Sequence, residues 1–373
     1  MLVVGLGDLG ARTFDALARL PLAGRLVGAS RDAERGAALS GQVRLVASLS
    51  RGPGAVEFER LDLYDRDAAT ALLARLDPDV TVIAASEHTW WRPAAADPAL
   101  AAAAARLPYG AWLPLQAGLV RRLMEARAAA GVRGPVVCLP FPDVVGPMLA
   151  GSGLAPEMGA GNVAEVAAKL AASTAAAEGV PCSDVEVRLV LHHAAERSAL
   201  GAFASLAATE PEGEPPWHAE VLVSGEALPA ERVAAAFRAP YPLPAGRATH
   251  ALTSAAAVAT VAGLLSDEPV RAHVPAPGGR PGGYPVTLSR AGAVLDLPAD
   301  IDEAGAVAVN ERAAAWDGIE RIEPDGTAVL TPAVAARVSE VLGVDLARIA
   351  PAELDGLAAE LRAALGRESI PAN

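Results

Sequence analysis

The first ten residues constrain this chain more than any other stretch. Met1-Leu-Val-Val-Gly5 is a short, continuously apolar run, and Gly5-Leu-Gly7-Asp8-Leu9-Gly10 follows at once. After it comes a stretch that places Phe14, Leu17 and Leu20 on one helical face. A strand buried on both faces of a parallel sheet reads as such an apolar run. The first glycine allows a tight turn, the second lets backbone approach a pyrophosphate, and the third lets helix and strand pack closely. The helix N-terminus adds partial positive charge. The spacing predicts a dinucleotide-binding turn built from Gly5, Gly7, Asp8, Leu9 and Gly10; the other reading is a fold that kept the turn and lost the ligand.

The same rhythm continues. Strands are expected at Leu26–Ala29, Val56–Leu61, Val80–Ala85 and Val136–Leu139, with helices through Ala68–Leu76, the alanine-rich stretch to Arg106, and Leu115–Ala130. Right-handed crossovers then give a doubly wound, mostly parallel sheet of the Rossmann type over residues 1–150. Beyond it the alternation stops. A helix over Asn162–Ala175, a strand over Val185–Leu191, helices over Leu252–Leu265, Asp300–Ala315 and Pro332–Leu365, and a Gly/Pro-rich loop at Pro275–Pro285 suggest an α+β substrate domain over residues 151–373.

The end of the second strand chooses the cofactor. A carboxylate there would bond the ribose of NAD, whereas this chain offers Ser30 and Arg31, twenty and twenty-one residues after Gly10. A hydroxyl and a guanidinium suit a 2′-phosphate, so NADP(H) is favoured over NAD(H), with Asp32 as the competing sugar ligand. Asp62 and Leu63, closing the third strand, and Ala85, closing the fourth, are expected along the nucleotide; a strand-terminal cap is the other reading of Asp62.

Composition narrows the class. Lys+Arg number 31 and Asp+Glu 44, a formal net charge of −13, which argues against sequence-independent nucleic-acid binding. No uninterrupted apolar run reaches membrane-spanning length, and no secretory signal is expected. Cys138 and Cys182 form no metal spacing, so reduced thiols, a cytoplasmic location and no metal are expected. Of the 31 basic residues only Lys169 is a lysine. In a chain where arginine has replaced lysine elsewhere, this survivor invites a role.

Chemistry-bearing residues gather in the second half. His192-His193 end an apolar strand, and Asn162, Glu165 and Lys169 fall along one helical face after Met158-Gly-Ala-Gly161. A solvated Glu165–Lys169 ion pair is the plain reading. The functional one sets Glu165 beside His192, holding one tautomer and stabilising the imidazolium, as a proton donor requires.

The order of these pieces resembles the lactate/malate dehydrogenase superfamily over most of the chain. Phe141-Pro142 stands where the family has Asn-Pro, and Gly159-Ala-Gly161 where it has its glycine pair before a helix. The resemblance implies that Glu165 matches the helix aspartate and that His192, 27 residues later, matches the proton-donating histidine. It also implies that Thr249 lines the substrate pocket. The departures are specific. The substrate-carboxylate arginine falls on Ala168, with Lys169 adjacent, and the strand-five asparagine is Phe141. The loop after strand four carries Trp90, Trp91 and Arg92, a lid, an aromatic substrate wall or an interface contact. Asp62-Leu63 also resembles saccharopine-dehydrogenase-type reductases.

The resulting expectation is an NAD(P)-dependent dehydrogenase or reductase acting on a carbonyl or imine carbon of a small polar substrate. His192 (or His193), Glu165 and Lys169 would be catalytic, and Arg92, Trp91, Asn162, His193 and Thr249 would contact the substrate; the sequence leaves open which of the two histidines moves the proton. A homodimer or larger homo-oligomer is expected. A non-catalytic NADP(H)-binding protein and a redox-neutral epimerase or eliminase remain as alternatives.

Overall fold

The computed structural model describes residues 1–89, 95, 97–201 and 211–366. Its first sheet is assembled by βα alternation: β1 (Leu2–Val4), α1 (Asp8–Leu17), β2 (Arg25–Ser30), α2 (Ala33–Ser50), β3 (Ala55–Arg60), α3 (Arg66–Leu76), β4 (Thr81–Ile83), α4 (Pro98–Ala104), α5 (Leu113–Ala130), β5 (Val136–Cys138), α6 (Pro142–Ala150) and β6 (Met158–Gly159). The strand order is β3-β2-β1-β4-β5-β6, every pair parallel. This is the doubly wound order in which ligands bind beyond the carboxyl ends of the strands, at the switch point beside β1. The three residues of β1 are all buried, as an apolar central strand demands. Because β6 belongs to this sheet, the sheet runs to Gly159, past the boundary drawn at residue 150.

The second half is built from α7 (Val163–Glu178), β7 (Val185–Leu191), α8 (His193–Leu200), β8 (Trp217–Val223), β9 (Glu226–Ala227), α9 (Ala230–Arg238), α10 (His250–Leu265), β10 (Val270–Pro275), β11 (Gly283–Ser289), β12 (Gly292–Leu295) and α11 (Glu303–Ala314). Its strands form an antiparallel sheet ordered β10-β11-β7-β8-β9, with β12 on β11. The Gly/Pro-rich stretch expected as loop to Pro285 becomes strand from Gly283 onward. Gly246–Leu265 is long and apolar enough to cross a membrane by length and composition alone, and α10 within it packs on α1 and β11.

The chain then returns to the first domain. The sheet of β13 (Ile319–Ile322), β14 (Ala328–Leu330) and β15 (Arg348–Ile349) joins α12 (Pro332–Leu342) and α13 (Leu354–Ala364) in one apolar core with α3 and α5. Arg121 and Arg122 of α5 bond Asp355 of α13 at 2.5 and 2.8 Å. Arg362 of α13 reaches the buried Glu87 carboxylate just after β4, which also accepts from the Tyr64 hydroxyl at 2.6 Å.

Local chemistry explains the helix starts. Asp32, Asp65, Asp97 and Asp302 each accept a hydrogen bond from the backbone N–H three residues on, capping α2, α3, α4 and α11. The sequence reading placed no element over residues 33–50, because apolar residues run around α2 and leave Leu45 and Leu49 exposed, so no single face stands out.

Lys169 has a structural post. Its ammonium donates to the carbonyls of Ala236 and Phe237 at 2.9 and 2.5 Å, which lie in the last turn of α9, where helix carbonyls lack intrahelical donors. It is 4% exposed, and burial pulls its pKa down to about 8. The expectation of a catalytic lysine on the cleft is therefore corrected: Lys169 fastens α7 to α9. Lys169→Met leaves both carbonyls unpaired and is expected to lower unfolding free energy by about 2 kcal/mol, measured by urea denaturation. Lys169→Arg, with a larger planar head, is expected to recover only part of that loss.

Candidate active site

The glycine turn is fixed by contact. Gly5 has φ +92°, and a Cβ there would stand 2.5 Å from the Ala85 nitrogen; at Gly10 a Cβ would stand 1.8 Å from the Gly5 carbonyl oxygen. Only glycine lets α1 lie this close to β1 and β4. Gly7 caps α1 in an extended conformation. A groove bordered by Gly5, Gly7, Ser30, Arg31, Asp62, Leu63 and Ala85 runs along the strand ends. Asp32 is engaged as the cap of α2, accepting from the Arg35 amide at 3.0 Å. Asp62 accepts from the Tyr64 amide at 3.1 Å, closing the turn after β3.

This groove shares Gly7, Ala84 and Ser86 with a second cleft of about 180 Å³. Asp8, Leu9, Asn162, Glu165, His193 and Thr249 all line the second cleft, so residues far apart in sequence converge there. Asp8 puts a carboxylate at the N-terminus of α1, and it is well balanced: Arg12 lies at 2.9 Å, His250 Nδ1 at 2.8 Å and Arg247 at 3.8 Å. Burial opposes its charge, but the bonds from Arg12 and His250 outweigh it and hold the Asp8 pKa below the usual value. Arg35 and Arg247 also line this end.

At the other end, His193 occupies the first turn of α8, its side chain 19% exposed. Its Nδ1 meets Asp317 Oδ2 at 2.8 Å, and its backbone N–H donates to Asp143 Oδ1 at 2.9 Å. Burial disfavours the charged ring, but Asp317, by charge and hydrogen bond, together with Glu196 and Asp143, raises its pKa to about 9. Asp317, 2% exposed, stays ionised: burial works against it, and His193 and His192 more than compensate. Nδ1 thus faces the carboxylate and Nε2 is the nitrogen left to serve the cleft.

His192 is fully buried and lies off the cleft. Its Nδ1 accepts the Ala194 amide at 3.2 Å as the cap of α8 and stands 3.4 Å from Asp317. The expected pairing of His192 with Glu165 is corrected on both sides, since His193 faces the cleft and Asp317 is its partner. The one-residue change follows from where the strand ends: β7 stops at Leu191 and His192 is spent as the helix cap.

Glu165 is released from that pairing. It accepts from Thr253 Oγ1 at 2.7 Å and hydrogen-bonds Glu196. Burial raises the pKa of both carboxyls, and for Glu196 repulsion from Glu165 adds to it, so the pair shares a proton near neutrality. Asn162, capping α7 at φ +39°, donates its amide to Asp143 Oδ2. Phe141, at φ +41° before α6, packs edge-to-face on Tyr109 at 4.7 Å. Trp90, Trp91 and Arg92 lie outside the described residues.

Sequence reasoning missed Glu196, Asp317, Asp143, Thr253 and His250. Asp143 follows Phe141-Pro142 directly, and Glu196 lies one helical turn after His193, so both had a local signal. Asp317 had none, standing 124 residues from its partner in an ordinary Asp-Gly turn.

A two-dimensional proton–carbon NMR titration should find one histidine, lost in His193→Gln, with a pKa of about 9. Asp317→Asn is expected to bring it to about 6.5 or lower. Because the folded value is raised, the pair's stabilisation is complete below about pH 6.5 and fades as pH rises through about 9. The stability difference between wild type and Asp317→Asn should shrink over that window.

No protein-family model matches the chain, and no curated protein sequence matches it. Solved structures do. A malate dehydrogenase from Cryptosporidium parvum aligns over 84% of this chain and 95% of its own at 13% identity, with a TM-score of 0.56. A malate dehydrogenase from Plasmodium falciparum in complex with NADH aligns over 92% and 98% at 9% identity, TM-score 0.55. A minor L-lactate dehydrogenase from Enterococcus mundtii aligns over 84% and 94% at 11% identity, TM-score 0.55. At these identities the likeness is one of fold: a dinucleotide-type parallel domain followed by an α+β domain.

Proposed function

We propose, from the lactate and malate dehydrogenase fold that this chain carries, that it is a nicotinamide-dependent oxidoreductase. It transfers a hydride to or from a carbonyl or imine carbon of a small polar substrate. The observation that carries the reading is the continuity of the groove from Ser30 and Arg31, past the Gly5–Gly10 turn, to the His193–Asp317 pair. The residues fit a dinucleotide. Gly7 opens α1 toward the groove, and Arg12, His250 and Arg247 offset the Asp8 charge where a pyrophosphate would lie.

The nicotinamide dinucleotide would supply the hydride chemistry. The chain's own groups position and protonate. His193, held by Asp317 with Nε2 free for the cleft, gives a proton to the heteroatom of the reduced bond, or takes it back in the oxidative direction. Its raised pKa keeps it charged at neutral pH, which favours the reductive direction, where the donor must begin protonated. Ser30 and Arg31 support a preference for NADPH over NADH.

Fluorescence titration with both reduced dinucleotides tests the reading. NADPH should bind more tightly than NADH, and Arg31→Ala should cost about tenfold in NADPH affinity while leaving NADH affinity nearly unchanged. Binding of neither overturns it. Against a panel of ketones and imines, His193→Gln should lower turnover by roughly 100-fold or more with cofactor affinity retained. Tight cofactor binding with no oxidation across the panel would identify a non-catalytic binder instead.

A further inference from the structure

The substrate end of the cleft carries an unusual balance of charge, and its meaning rests on the reading just given. Glu165 and Glu196 are 6% and 5% exposed, both line the cleft, and they touch each other. Asp143 and Asp317, 0% and 2% exposed, stand directly behind. Four carboxyl groups therefore surround one cation, His193. The arginines among the described cleft residues are Arg35 and Arg247, and Arg247 stands 3.8 Å from Asp8. Lys169, the one lysine of the chain, is committed to α9. Holding two buried carboxyls in contact is costly unless something at the site uses them.

Two aromatic rings of the same cleft give a second indication. Tyr109 and Phe141 both line the cleft, and the His193 ring is seated 4.8 Å and 5.2 Å from their ring centroids. Aromatic faces attract cations through the ring quadrupole, and this wall already holds a charged imidazolium.

We infer that the Glu165–Glu196 pair and the Tyr109–Phe141 wall form a subsite for an ammonium group, so that the substrate is an amino-alcohol or the matching amino-carbonyl compound. Its oxygen lies at His193 Nε2 and its nitrogen at the carboxyl pair. A 2-hydroxy acid would set its carboxylate against that pair and is rejected by charge.

Three probes of one skeleton isolate the charge: 1-amino-2-propanol, 1,2-propanediol and lactate, each titrated calorimetrically into the full-length protein with and without saturating NADP+. The cationic probe is expected to bind about tenfold or more tightly than either of the others. The double variant Glu165→Gln, Glu196→Gln, isosteric and still hydrogen-bonded, should erase that preference with NADPH affinity unchanged. Equal binding of the three, tighter binding of lactate or of the diol, no binding of any, or a preference that survives in the double variant each overturns the inference. If the double variant does not fold, the wild-type comparison still decides. The two readings fail separately. A cation preference without dinucleotide binding leaves the subsite standing and removes the oxidoreductase, and dinucleotide binding without the preference does the reverse.

Discussion

The buried carboxylate of Asp317 organises the second half of this molecule. A carboxylate at 2% exposure needs a donor, and it finds one in His193 at 2.8 Å, with the His192 ring standing 3.4 Å away. To deliver it, the corner between α11 and β13 must lie against the backbone of Gly110, where a Cβ would stand 2.5 Å from the Asp317 carbonyl oxygen. One interaction thus joins the first turn of α8, the start of the C-terminal sheet and the segment leading into α5. The C-terminal elements are part of the site's construction, since they supply Asp317 to the histidine and Arg362 to the Glu87–Tyr64 contact beside the groove along the strand ends.

The exchange of partners has a consequence for Glu165. With Asp317 holding the imidazole, the α7 carboxylate turns to Glu196 and Thr253. The cleft then has two electrostatic ends: arginines and His250 around Asp8, and protonatable carboxyls with aromatic rings around His193. A fold shared with lactate and malate dehydrogenases here carries its own arrangement of charged groups in the cleft, since a site's chemistry lies in its residues and not in the scaffold.

Much of the architecture was legible because its signals are local. The apolar Leu2–Val4, the glycine spacing and the alternation of strand and helix each follow from what neighbouring residues must bury or leave room for. Lys169 misled for an instructive reason: its rarity marked it as important, while its distance along α7 from Glu165 suggested a shared face. Its importance is to pair carbonyls in the last turn of α9, 67 and 68 residues away, which no pattern around Lys169 encodes. The choice between His192 and His193 turned on whether the strand ended one residue earlier or later, and a one-residue step reverses which side chain faces the cleft.

The sequence by itself determined the glycine turn and the doubly wound order that follows from it, because each depends on residue type at a short, fixed spacing. Only the tertiary structure decided that Asp317 partners His193, that Glu165 partners Glu196, and that Lys169 lies outside the cleft. Those pairings depend on where distant segments are brought by the burial of apolar surface. A carboxylate or an ammonium takes whichever complementary group that packing leaves beside it.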